Sequence, residues 1–322
     1  MHAIQITEHG GPDVLTPVQI PTPPCGPNQV LVANEAAGVN FIDTYQRTGL
    51  YPMQLPYIPG LEGAGMITQV GGNVTDLVIG DRVAWTGVLG SYAEMVAVPA
   101  DDAVPIPDSL SSEVACASLL QGLTAHYLAF DTFPLQPGDT CLIHAGAGGV
   151  GLLLTQLAKA CGAIVVATVG TEAKAELSRA AGADHVINYS DTDFAAAIID
   201  LLGPKPFEVV YDGVGQSVFA DSLRLLKPRG LMATFGNASG PVEPVSPLTL
   251  SQAGSLFLTR PTLFDHIATR NELLDRTSDL FARIASGSLA VRIGERLPLV
   301  EAANAHRMLE GRATTGKVIL TT

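Results

Sequence analysis

Residues 140–162, TCLIHAGAGGVGLLLTQLAKACG, join three local patterns without a gap. Thr140 to Ala145 is a short apolar run typical of a buried strand, and residues 146–151 form a glycine-dense turn. A helix is predicted from Val150 to Cys161, because its apolar residues recur at helical spacing. The stretch therefore predicts a strand, a tight turn and a helix in direct succession.

The glycine spacing in this turn indicates a ligand. Gly146, Gly148 and Gly151 fit the pattern G-x-G-x-x-G. In a dinucleotide-binding unit the first glycine makes the turn, the second lets the backbone approach a pyrophosphate, and the third lets helix and strand pack closely. The helix N-terminus attracts an anion through its N–H groups and partial positive charge. A purely structural glycine turn is the alternative, but the strand-to-helix context favours a dinucleotide site.

Composition and charge bound the class of protein. The chain has 322 residues, 47% hydrophobic and 15% charged, as expected for a well-packed globular protein of about two domains. The net charge of −13 and the lack of a basic run argue against a nucleic-acid-binding surface and against docking on anionic lipid. The N-terminus resembles no leader, and no apolar run reaches the length of about 18 residues that spans a bilayer. We expect a cytoplasmic protein with no membrane segment.

The four cysteines give no sign of a metal or disulfide site. Cys25, Cys116, Cys141 and Cys161 show no paired spacing of the metal-binding or redox kind, so reduced thiols are expected. Cys141 and His144 are three apart on a predicted strand, which points their side chains to opposite faces and disfavours a shared metal.

The first part of the chain carries strand patterns. Residues 1–105 contain short alternating runs separated by Gly, Pro, Asn and Asp, which indicates an antiparallel barrel or sandwich. Residues 41–48 are the exception and are predicted as a short helical turn. Residues 110–130 are predicted as a linking helix, with Ser111 or Ser112 as its N-cap.

From Thr140 onward, strands and helices alternate, which is typical of a parallel sheet with helices on both faces. The predicted strands are 140–145, 163–168, 185–189, 207–212 and 230–235, and the predicted helices are 150–161, 172–181, 191–202 and 216–227. Four glycines are predicted to end helices with a positive φ: Gly162, Gly182, Gly203 and Gly230.

The C-terminal part is predicted to return to the first domain. It carries a strand at 255–259, helices at about 271–286 and 299–310, and a final strand from Lys317. We expect one domain of residues 1–123 completed by 262–322, a second of residues 124–261, and a ligand cleft between them.

The tip of the second strand of the predicted parallel sheet indicates which dinucleotide binds. An NAD-specific unit carries a carboxylate about twenty residues past the first glycine, whereas residues 167–170, ATVG, contain no acid. A carboxylate would repel a 2′-phosphate, and Lys174 in the next helix supplies a cation. Gly170 and Thr171 can offer backbone N–H groups. We therefore favour NADPH; the alternative for Lys174 is a solvated surface lysine, and Glu172 lies close by.

Seven stretches together resemble the quinone oxidoreductases, the zinc-independent branch of the medium-chain dehydrogenase/reductase superfamily that includes zeta-crystallin. They are GVNFIDTYQRTGLYP at 38–52, PGLEGAGMITQVG at 59–71, GDRVAW at 80–85, QGLTAHY at 121–127, AGAGGVG at 145–151, VGTEAKAELSRAAGADHVINY at 169–189 and YDGVGQ at 211–216. The resemblance covers nearly the whole chain in unbroken order. It implies a GroES-like β-rich catalytic domain, a Rossmann domain with a doubly wound parallel sheet, and NADPH as the cofactor.

The same resemblance separates the chain from its zinc-dependent relatives, which carry a Gly-His-Glu triplet, an upstream ligand cysteine and a four-cysteine lobe. Here the triplet is Gly60, Leu61 and Glu62, and no cysteine lies between Cys25 and Cys116. Leucine cannot bind a metal, so the Lewis acid that ionises an alcohol is missing and we expect no metal and no alcohol oxidation. Reduction of a quinone or a polarised alkene needs only hydride proximity and a way to neutralise an oxyanion.

The resemblance also implies a catalytic and substrate site. Asn40 and Tyr45 match positions beside the nicotinamide and the substrate, and Asp43 and Tyr51 complete the predicted substrate site. Either phenol could lie against a flat quinone or donate a hydrogen bond; with an ordinary pKa of about 10, a tyrosine is a reasonable donor and a poor base. Simple packing is the alternative for Tyr51.

The implied cofactor site spans the rest of the chain. Besides Tyr45, Thr124 and Tyr127 match positions lining the cofactor cleft, and Arg312 matches a C-terminal arginine that reaches the cofactor phosphate, a surface charge being its alternative. The remaining members are Gly146, Gly148, Gly149 and Val150 at the pyrophosphate turn, Gly170, Thr171, Lys174 and Tyr189 around the adenosine phosphate, and Val214, Phe235, Gly236 and Asn237 after later strands.

These features predict an NADPH-dependent quinone oxidoreductase that works without a metal on a quinone or related conjugated carbonyl. A reductase of alkenals or enoyl thioesters is the first alternative, since the same hydride geometry serves a C=C bond. An NADPH-holding structural or RNA-associating protein is the second, although the acidic charge weighs against RNA. Residues 255–261, SLFLTRP, resemble a strand that pairs across a two-fold axis in relatives, so we expect a homodimer.

Overall fold

A computed structural model describes the whole chain, Met1–Thr322. The chain divides into two compact units. The first unit comprises Met1–Leu123 and Ile267–Thr322, and the second unit is Thr124–His266. The sequence places the end of the second domain slightly earlier, at residue 261. None of the helices is both long and apolar enough to cross a membrane.

The regular elements follow one another along both units. The strands are β1 (His2–Gln5), β2 (Thr16–Gln19), β3 (Gln29–Val39), β4 (Glu62–Val70), β5 (Arg82–Thr86), β6 (Met95–Pro99), β7 (Val104–Pro105), β8 (Thr140–Ile143), β9 (Ile164–Val169), β10 (His185–Asn188), β11 (Phe207–Asp212), β12 (Leu226–Thr234), β13 (Phe257–Thr259), β14 (Ile293–Pro298) and β15 (Lys317–Thr321). The α-helices are α1 (Phe41–Thr48), α2 (Ser112–Tyr127), α3 (Gly149–Ala160), α4 (Glu172–Ala180), α5 (Phe194–Leu202), α6 (Phe219–Leu225), α7 (Pro247–Gly254), α8 (Leu263–His266), α9 (Arg270–Ala285) and α10 (Ala302–Glu310).

The first unit is built on a seven-stranded sheet, in the order β14, β15, β3, β4, β5, β7, with β6 pairing β3. Every pair in it is antiparallel except β14 with β15, and β1 and β2 form a separate antiparallel pair. Side chains alternate along each strand, so residues such as Val30, Val32 and Ile67 pack on one face around Trp85. The antiparallel architecture predicted for this part is confirmed.

Helix α1 follows β3 directly, and residues at its two ends fix its length. Asn40 precedes it in an extended conformation, and its N–H donates to the Asp43 carboxylate at 2.8 Å. Gly49 ends the helix at φ 82°, a left-handed conformation that a side chain disfavours. The short helix predicted at 41–48 is confirmed, and it carries Tyr45.

The second unit is built on six parallel strands in the order β10, β9, β8, β11, β12, β13. The central strands are buried on both faces, as in sheets covered by helices. The strand order reverses between β8 and β11, and ligands of such sheets bind outside the carboxyl ends of the strands at this point. The predicted parallel sheet is confirmed.

Some local predictions are wrong. Gly162, Gly182 and Gly203 adopt positive φ values as predicted, but Gly230 lies inside β12 and Arg229 takes the positive φ of 66° instead. The reason is Pro228, which cannot continue a helix, so α6 ends early and the bulged start of β12 follows. Helices α7 and α8 and strand β14 were not predicted, because their short patterns give no clear period.

The start of α2 is set by Ser111. Its hydroxyl accepts a hydrogen bond from Val114 N at 3.2 Å, which makes Ser111, of the two predicted serines, the N-cap. The α-helix ends at Tyr127, earlier than predicted, and continues as a π-helical turn over Leu128–Thr132.

Candidate functional site

The glycine turn of the second unit presents bare main chain. Gly148 is the N-cap of α3, and no side chain caps this helix. The first-turn N–H groups, among them those of Gly149 and Val150, have no acceptor within the helix. An α-helix N-terminus without a side-chain cap is an anion site. The structure thus brings the predicted pyrophosphate residues to one helix end.

The space around each glycine of the motif differs. A Cβ on Gly151 would overlap the carbonyl oxygen of Ala145 and lie 2.9 Å from Gly146 Cα. A Cβ on Gly146 would lie 2.7 Å from Ala167 Cβ and from Ser178 Oγ. At Gly148 the nearest atom is Ala145 O at 3.2 Å. The outer glycines are therefore required by packing, while the middle one leaves room for a ligand to approach.

The predicted adenosine-phosphate residues also meet, at the start of α4. Thr171 caps this helix, its Oγ1 accepting from Lys174 N at 3.3 Å. The Tyr189 hydroxyl lies 2.8 Å from the position of a Cβ on Gly170, so the ring edge covers this glycine. The four groups are positioned by the ends of β9 and β10 and by the start of α4.

The charges at this helix start favour an anion. Lys174 lies in the first turn, where a cation opposes the helix dipole unless an anion is bound. The neighbouring acid, Glu172, accepts a hydrogen bond from Arg179 Nη1 at 2.6 Å. Its charge is therefore partly neutralised within α4 itself.

The carboxyl end of β11 is organised by Asp212, which the sequence analysis missed. Its buried Oδ1 accepts from Val214 N at 2.7 Å and from Gly215 N at 2.9 Å. Its main-chain oxygen accepts from Phe235 N at 2.8 Å. Burial raises the pKa of the Asp212 carboxyl, and the backbone hydrogen bonds oppose that shift. An aspartate closing a strand before G-V-G was the available sequence signal.

Arg260, after β13, organises the neighbouring strand end. Its Nη1 donates to Thr234 O at 2.9 Å and to Gly236 O at 3.0 Å. The Asn237 amide oxygen accepts from Arg260 Nη2 at 3.1 Å, and its nitrogen donates to Gly236 O. Val214, Phe235, Gly236 and Asn237 thus occupy adjacent strand ends, as predicted, and Arg260 is an additional member.

The two predicted residues of α2 are largely buried. Thr124 is 7% exposed and Tyr127 is 1% exposed. The Tyr127 ring stacks on His266 with centroids 4.2 Å apart and planes 4° apart. Burial raises the pKa of the Tyr127 phenol.

In the first unit, α1 carries an aromatic cluster. The Tyr45 and Tyr51 rings meet edge to face with centroids 5.3 Å apart. Phe41, which the sequence analysis missed, lies 6.2 Å from Tyr45 in a tilted arrangement. Phe41 and Tyr51 are both partly exposed.

Asn40 lies in a buried polar group beneath this cluster. Its Nδ2 donates to Glu62 Oε2 at 3.0 Å, and its Oδ1 accepts from Lys317 Nζ at 2.7 Å. Lys317 and Glu62 form an ion pair, although their side chains are only 1% and 0% exposed. The sequence analysis missed Lys317, which lies at the start of the last strand.

Asp43 is fully buried and does not face solvent. Its Oδ2 accepts from Asn40 N and, at 3.0 Å, from the Tyr92 hydroxyl. Burial raises the pKa of Asp43 to about 7, against the opposing effects of the Asn40 hydrogen bond and the charge of Lys317. The predicted substrate residue is therefore part of the support under α1.

The polar chain continues from Asp43 to the surface. Tyr92 hydrogen-bonds to His306 Nε2 at 3.1 Å, and Arg47 pairs with Glu310 through two hydrogen bonds of 3.1 and 2.5 Å. Burial, aided by the charge of Arg47, lowers the pKa of His306 to about 3. His306 is therefore neutral.

Arg312 follows α10 in a left-handed conformation, with φ 55°. Its N–H donates to Leu309 O at 3.1 Å, and Ala313 N donates to Met308 O at 3.0 Å. These bonds form a Schellman motif, in which the left-handed position is normally glycine. Here Gly311 precedes that position with φ −71°, and the arginine takes the strain.

At the triplet that holds zinc in related enzymes, Leu61 is buried and the Glu62 carboxylate is occupied by Asn40, Lys317 and Leu120 N. No group of three or more His, Cys, Asp or Glu side chains is arranged to hold a metal ion.

Comparison with known families matches both units. Residues 26–108 match the family described as "Alcohol dehydrogenase GroES-like domain", and residues 149–283 match "Zinc-binding dehydrogenase". The predicted combination of a GroES-like domain with a Rossmann domain is confirmed.

Individual relatives cover nearly the full chain. "Quinone oxidoreductase 1" of Escherichia coli (strain K12) is 44% identical over 321 residues, 98% of each chain. A "2-haloacrylate reductase" of Burkholderia sp is 40% identical over 328 residues, 99% of this chain and 98% of the relative. The crystal structure of E. coli quinone oxidoreductase complexed with NADPH superimposes with a TM-score of 0.98, at 43% identity and full coverage of both chains.

Proposed function

The chain belongs to the quinone oxidoreductases of the medium-chain dehydrogenase/reductase superfamily, and we propose that it is an NADPH-dependent quinone oxidoreductase. Its substrate class is a quinone or a related conjugated carbonyl. The observation that carries this proposal is the full-length similarity to a quinone oxidoreductase whose structure contains NADPH.

The second unit is the proposed NADPH site. The uncapped start of α3 at Gly149 and Val150 would bind the pyrophosphate, and the room beside Gly148 supports its close approach. Lys174 would bind the 2′-phosphate beside Thr171. Bound there, NADPH supplies the hydride for the reduction.

The ring-binding part of the cofactor site is proposed at the ends of β11 and β12, at Val214, Phe235, Gly236 and Asn237. Asp212 and Arg260 hold these strand ends through main-chain hydrogen bonds. Thr124 and Tyr127 of α2 and Arg312 complete the proposed cofactor contacts, Tyr127 as packing support because its ring is buried.

The first unit supplies the proposed substrate site. Phe41 and Tyr51, which are partly exposed and pack against the buried Tyr45 ring, form an aromatic surface suited to a flat quinone ring. A tyrosine hydroxyl there can donate to the oxyanion that forms as the quinone is reduced. Asn40, at the start of α1, belongs to this proposed site, and its Oδ1 is held by Lys317 Nζ at 2.7 Å. Asp43 supports the start of α1.

An acceptor screen tests the activity. Purified protein should oxidise NADPH faster with 1,4-benzoquinone or phenanthrenequinone than without an acceptor. NADPH oxidation that no quinone accelerates would sink the proposal.

Reduction of an activated C=C bond is the second candidate. The similarity to a 2-haloacrylate reductase favours it. Assaying 2-haloacrylates, 2-alkenals and crotonyl-CoA beside the quinones ranks the two by kcat/KM, and a higher value for an alkene would reverse the assignment.

A homodimer is proposed through β13, the edge strand of the parallel sheet. β13 pairs only with β12, and Phe257 on it is 62% exposed. An unpaired edge of this kind accepts a second copy of itself. Phe257→Lys should convert a dimer to a monomer in sedimentation, and an unchanged sedimentation coefficient would contradict this interface.

A further inference from the structure

The buried pair of Glu62 and Lys317 joins distant parts of the first unit. Glu62 opens β4, Lys317 opens β15, and Glu62 Oε1 also accepts from Leu120 N of α2 at 2.6 Å. Gly38 of β3 leaves room for the pair, because a Cβ there would overlap Glu62 Oε2 and lie 2.8 Å from Lys317 Cε. Residues of β3, β4, β15 and α2 therefore pack around these two charges.

Stability alone does not account for these charges. Removing an ion pair from water costs about as much as the attraction returns, and apolar side chains of similar volume at such sites often give equal or higher stability. The pair therefore calls for a role other than holding the fold.

Its geometry indicates what that role is. The Asn40 amide faces the pair with its oxygen on the Lys317 ammonium and its nitrogen on the Glu62 carboxylate. Turning the amide over would place its N–H groups against the ammonium and its oxygen against the carboxylate. Both contacts are repulsive, so the two charges select a single orientation of the amide. The Gly38 carbonyl oxygen, which also accepts from Asn40 Nδ2 at 3.3 Å, favours the same orientation.

The orientation of the Asn40 amide affects the proposed substrate site. Asn40 is the last residue before α1, the helix that carries Tyr45, and it forms a capping box with Asp43. Its side chain also bonds the buried pair. The pair is thus joined to the start of α1 through the Asn40 amide.

We propose that Lys317 is a positioning residue for the reduction: together with Glu62 it fixes the Asn40 amide, and with it the start of α1, in the orientation that the proposed substrate site needs. This inference rests on the proposed function, in which Asn40 belongs to the substrate site.

The test removes both charges at once. In the double variant Glu62→Gln with Lys317→Met, Leu120 N keeps an oxygen acceptor and no unpaired charge is buried, so the melting temperature should stay close to that of the wild type. NADPH binding, measured by fluorescence titration, should change little, because the phosphates bind in the second unit. The kcat/KM for quinone should fall on the order of tenfold to a hundredfold.

The matched control is the exposed pair Arg296 and Glu113, whose atoms are 2.8 Å apart and whose side chains are 51% and 38% exposed. Arg296→Met with Glu113→Gln should leave kcat/KM unchanged. Wild-type kcat/KM in the Glu62 and Lys317 double variant would overturn the positioning role.

Adding Asn40→Ala to each background separates this inference from the proposed function. Asn40→Ala should lower kcat/KM in the wild type and add no further loss in the double variant, because its amide is already misplaced there. An equal loss in both backgrounds overturns the positioning role alone. No loss in the wild type overturns the proposed contact of Asn40 itself, and the positioning role with it.

A second neutral pair, Glu62→Gln with Lys317→Leu, keeps the test decisive should the first double variant fold poorly. It too buries no unpaired charge, and it removes the ammonium that holds Asn40 Oδ1, so kcat/KM should fall as in the first double variant. Wild-type kcat/KM in this variant would refute the proposal.

Discussion

The glycine turn of the second unit is made of main chain, whereas the polar cluster under α1 in the first unit is made of side chains. In the turn, the contacts span a few residues, such as Gly148 N to Ala145 O at 2.8 Å. In the cluster, Lys317 bonds partners 277 and 255 residues away. The glycine turn should lose its ligand affinity when a Cβ is added. The polar cluster should lose its function when a charge or a hydrogen bond is removed.

The largest effect is expected from Gly151→Ala. The new Cβ would overlap Ala145 O and press on Gly146 Cα, both main-chain atoms that cannot rotate away. Relief requires the turn to open, so NADPH affinity should fall at least about a hundredfold, equivalent to about 3 kcal/mol. Isothermal titration measures it.

The control in the same turn is Gly148→Ala, whose Cβ would meet only Ala145 O at 3.2 Å. Its fold should be kept, and any loss of NADPH affinity should come from crowding of the ligand. If Gly151→Ala kept the fold and bound NADPH as tightly as the wild type, the main-chain character of the turn would be refuted.

This contrast explains which parts of the site could be predicted from the sequence. The turn could be predicted from Gly146, Gly148 and Gly151, because the atoms that they contact are close in sequence. The helix start at Thr171 and Lys174 could be predicted for the same reason. Asn40 and Tyr45 were singled out only through a family resemblance. Their environment depends on Lys317, which a local pattern shows merely as the first residue of a strand.

The same limit applies to other missed residues. Tyr92 and His306 are aligned by tertiary packing, and Asp212 and Arg260 act on the main chain of neighbouring strands, so no periodicity marks them. Gly230 was predicted to have a positive φ because it is a glycine, but next to Pro228 it is Arg229 that adopts the positive φ. Main-chain sites were predicted from sequence, and side-chain networks required the structure.

The next prediction concerns the pH dependence of stability and compares one buried histidine in each unit. His144 bonds the hydroxyls of Thr168 and Ser222, each at 2.8 Å, and burial lowers its pKa to about 3, as it does for His306. The unfolded chain binds these protons near pH 6.5, so stability is lost as the pH falls below that value. Each histidine contributes a slope of up to about 1.4 kcal/mol per pH unit.

The comparison predicts the same outcome for both histidines. Asp43, whose pKa is raised to about 7, has the opposite effect, because its contribution to stability is lost as the pH rises from about 4 to 7. Urea unfolding of the chain between pH 7 and 5 should therefore show a flatter pH dependence of the unfolding free energy in His144→Gln, and equally in His306→Gln, because Asp43 offsets the histidine that remains. Identical slopes in the wild type and His144→Gln would show that His144 does not titrate in this way.

A smaller effect concerns the choice of coenzyme, for which Lys174 and Arg312 are proposed to bind the 2′-phosphate. Each charge-assisted contact is worth roughly 1.5–3 kcal/mol. Lys174→Ala or Arg312→Ala should raise the KM for NADPH about tenfold to a hundredfold and leave NADH nearly unaffected. Steady-state kinetics with both coenzymes measure the ratio.

Lys159→Ala is the control for that ratio, since Lys159 belongs to the surface pair with Asp184 at 2.8 Å. It should not change the preference for NADPH. Equal weakening of both coenzymes by Lys174→Ala and Arg312→Ala would identify these residues as general scaffold and remove the physical basis of NADPH selection.

The smallest effect is expected at Arg312, which combines a strained main-chain conformation with a proposed side-chain contact. Arg312 holds the left-handed position of a Schellman motif, where glycine avoids a strain of about 1 kcal/mol per residue. Arg312→Gly should raise the melting temperature by about 1–3 °C while the KM for NADPH rises as in Arg312→Ala. Arg229→Gly, at φ 66°, should give the same stabilisation with no change in KM. A strained backbone of this kind persists where the side chain is needed. An unchanged KM for NADPH in Arg312→Gly would therefore show that the arginine has no function in cofactor binding.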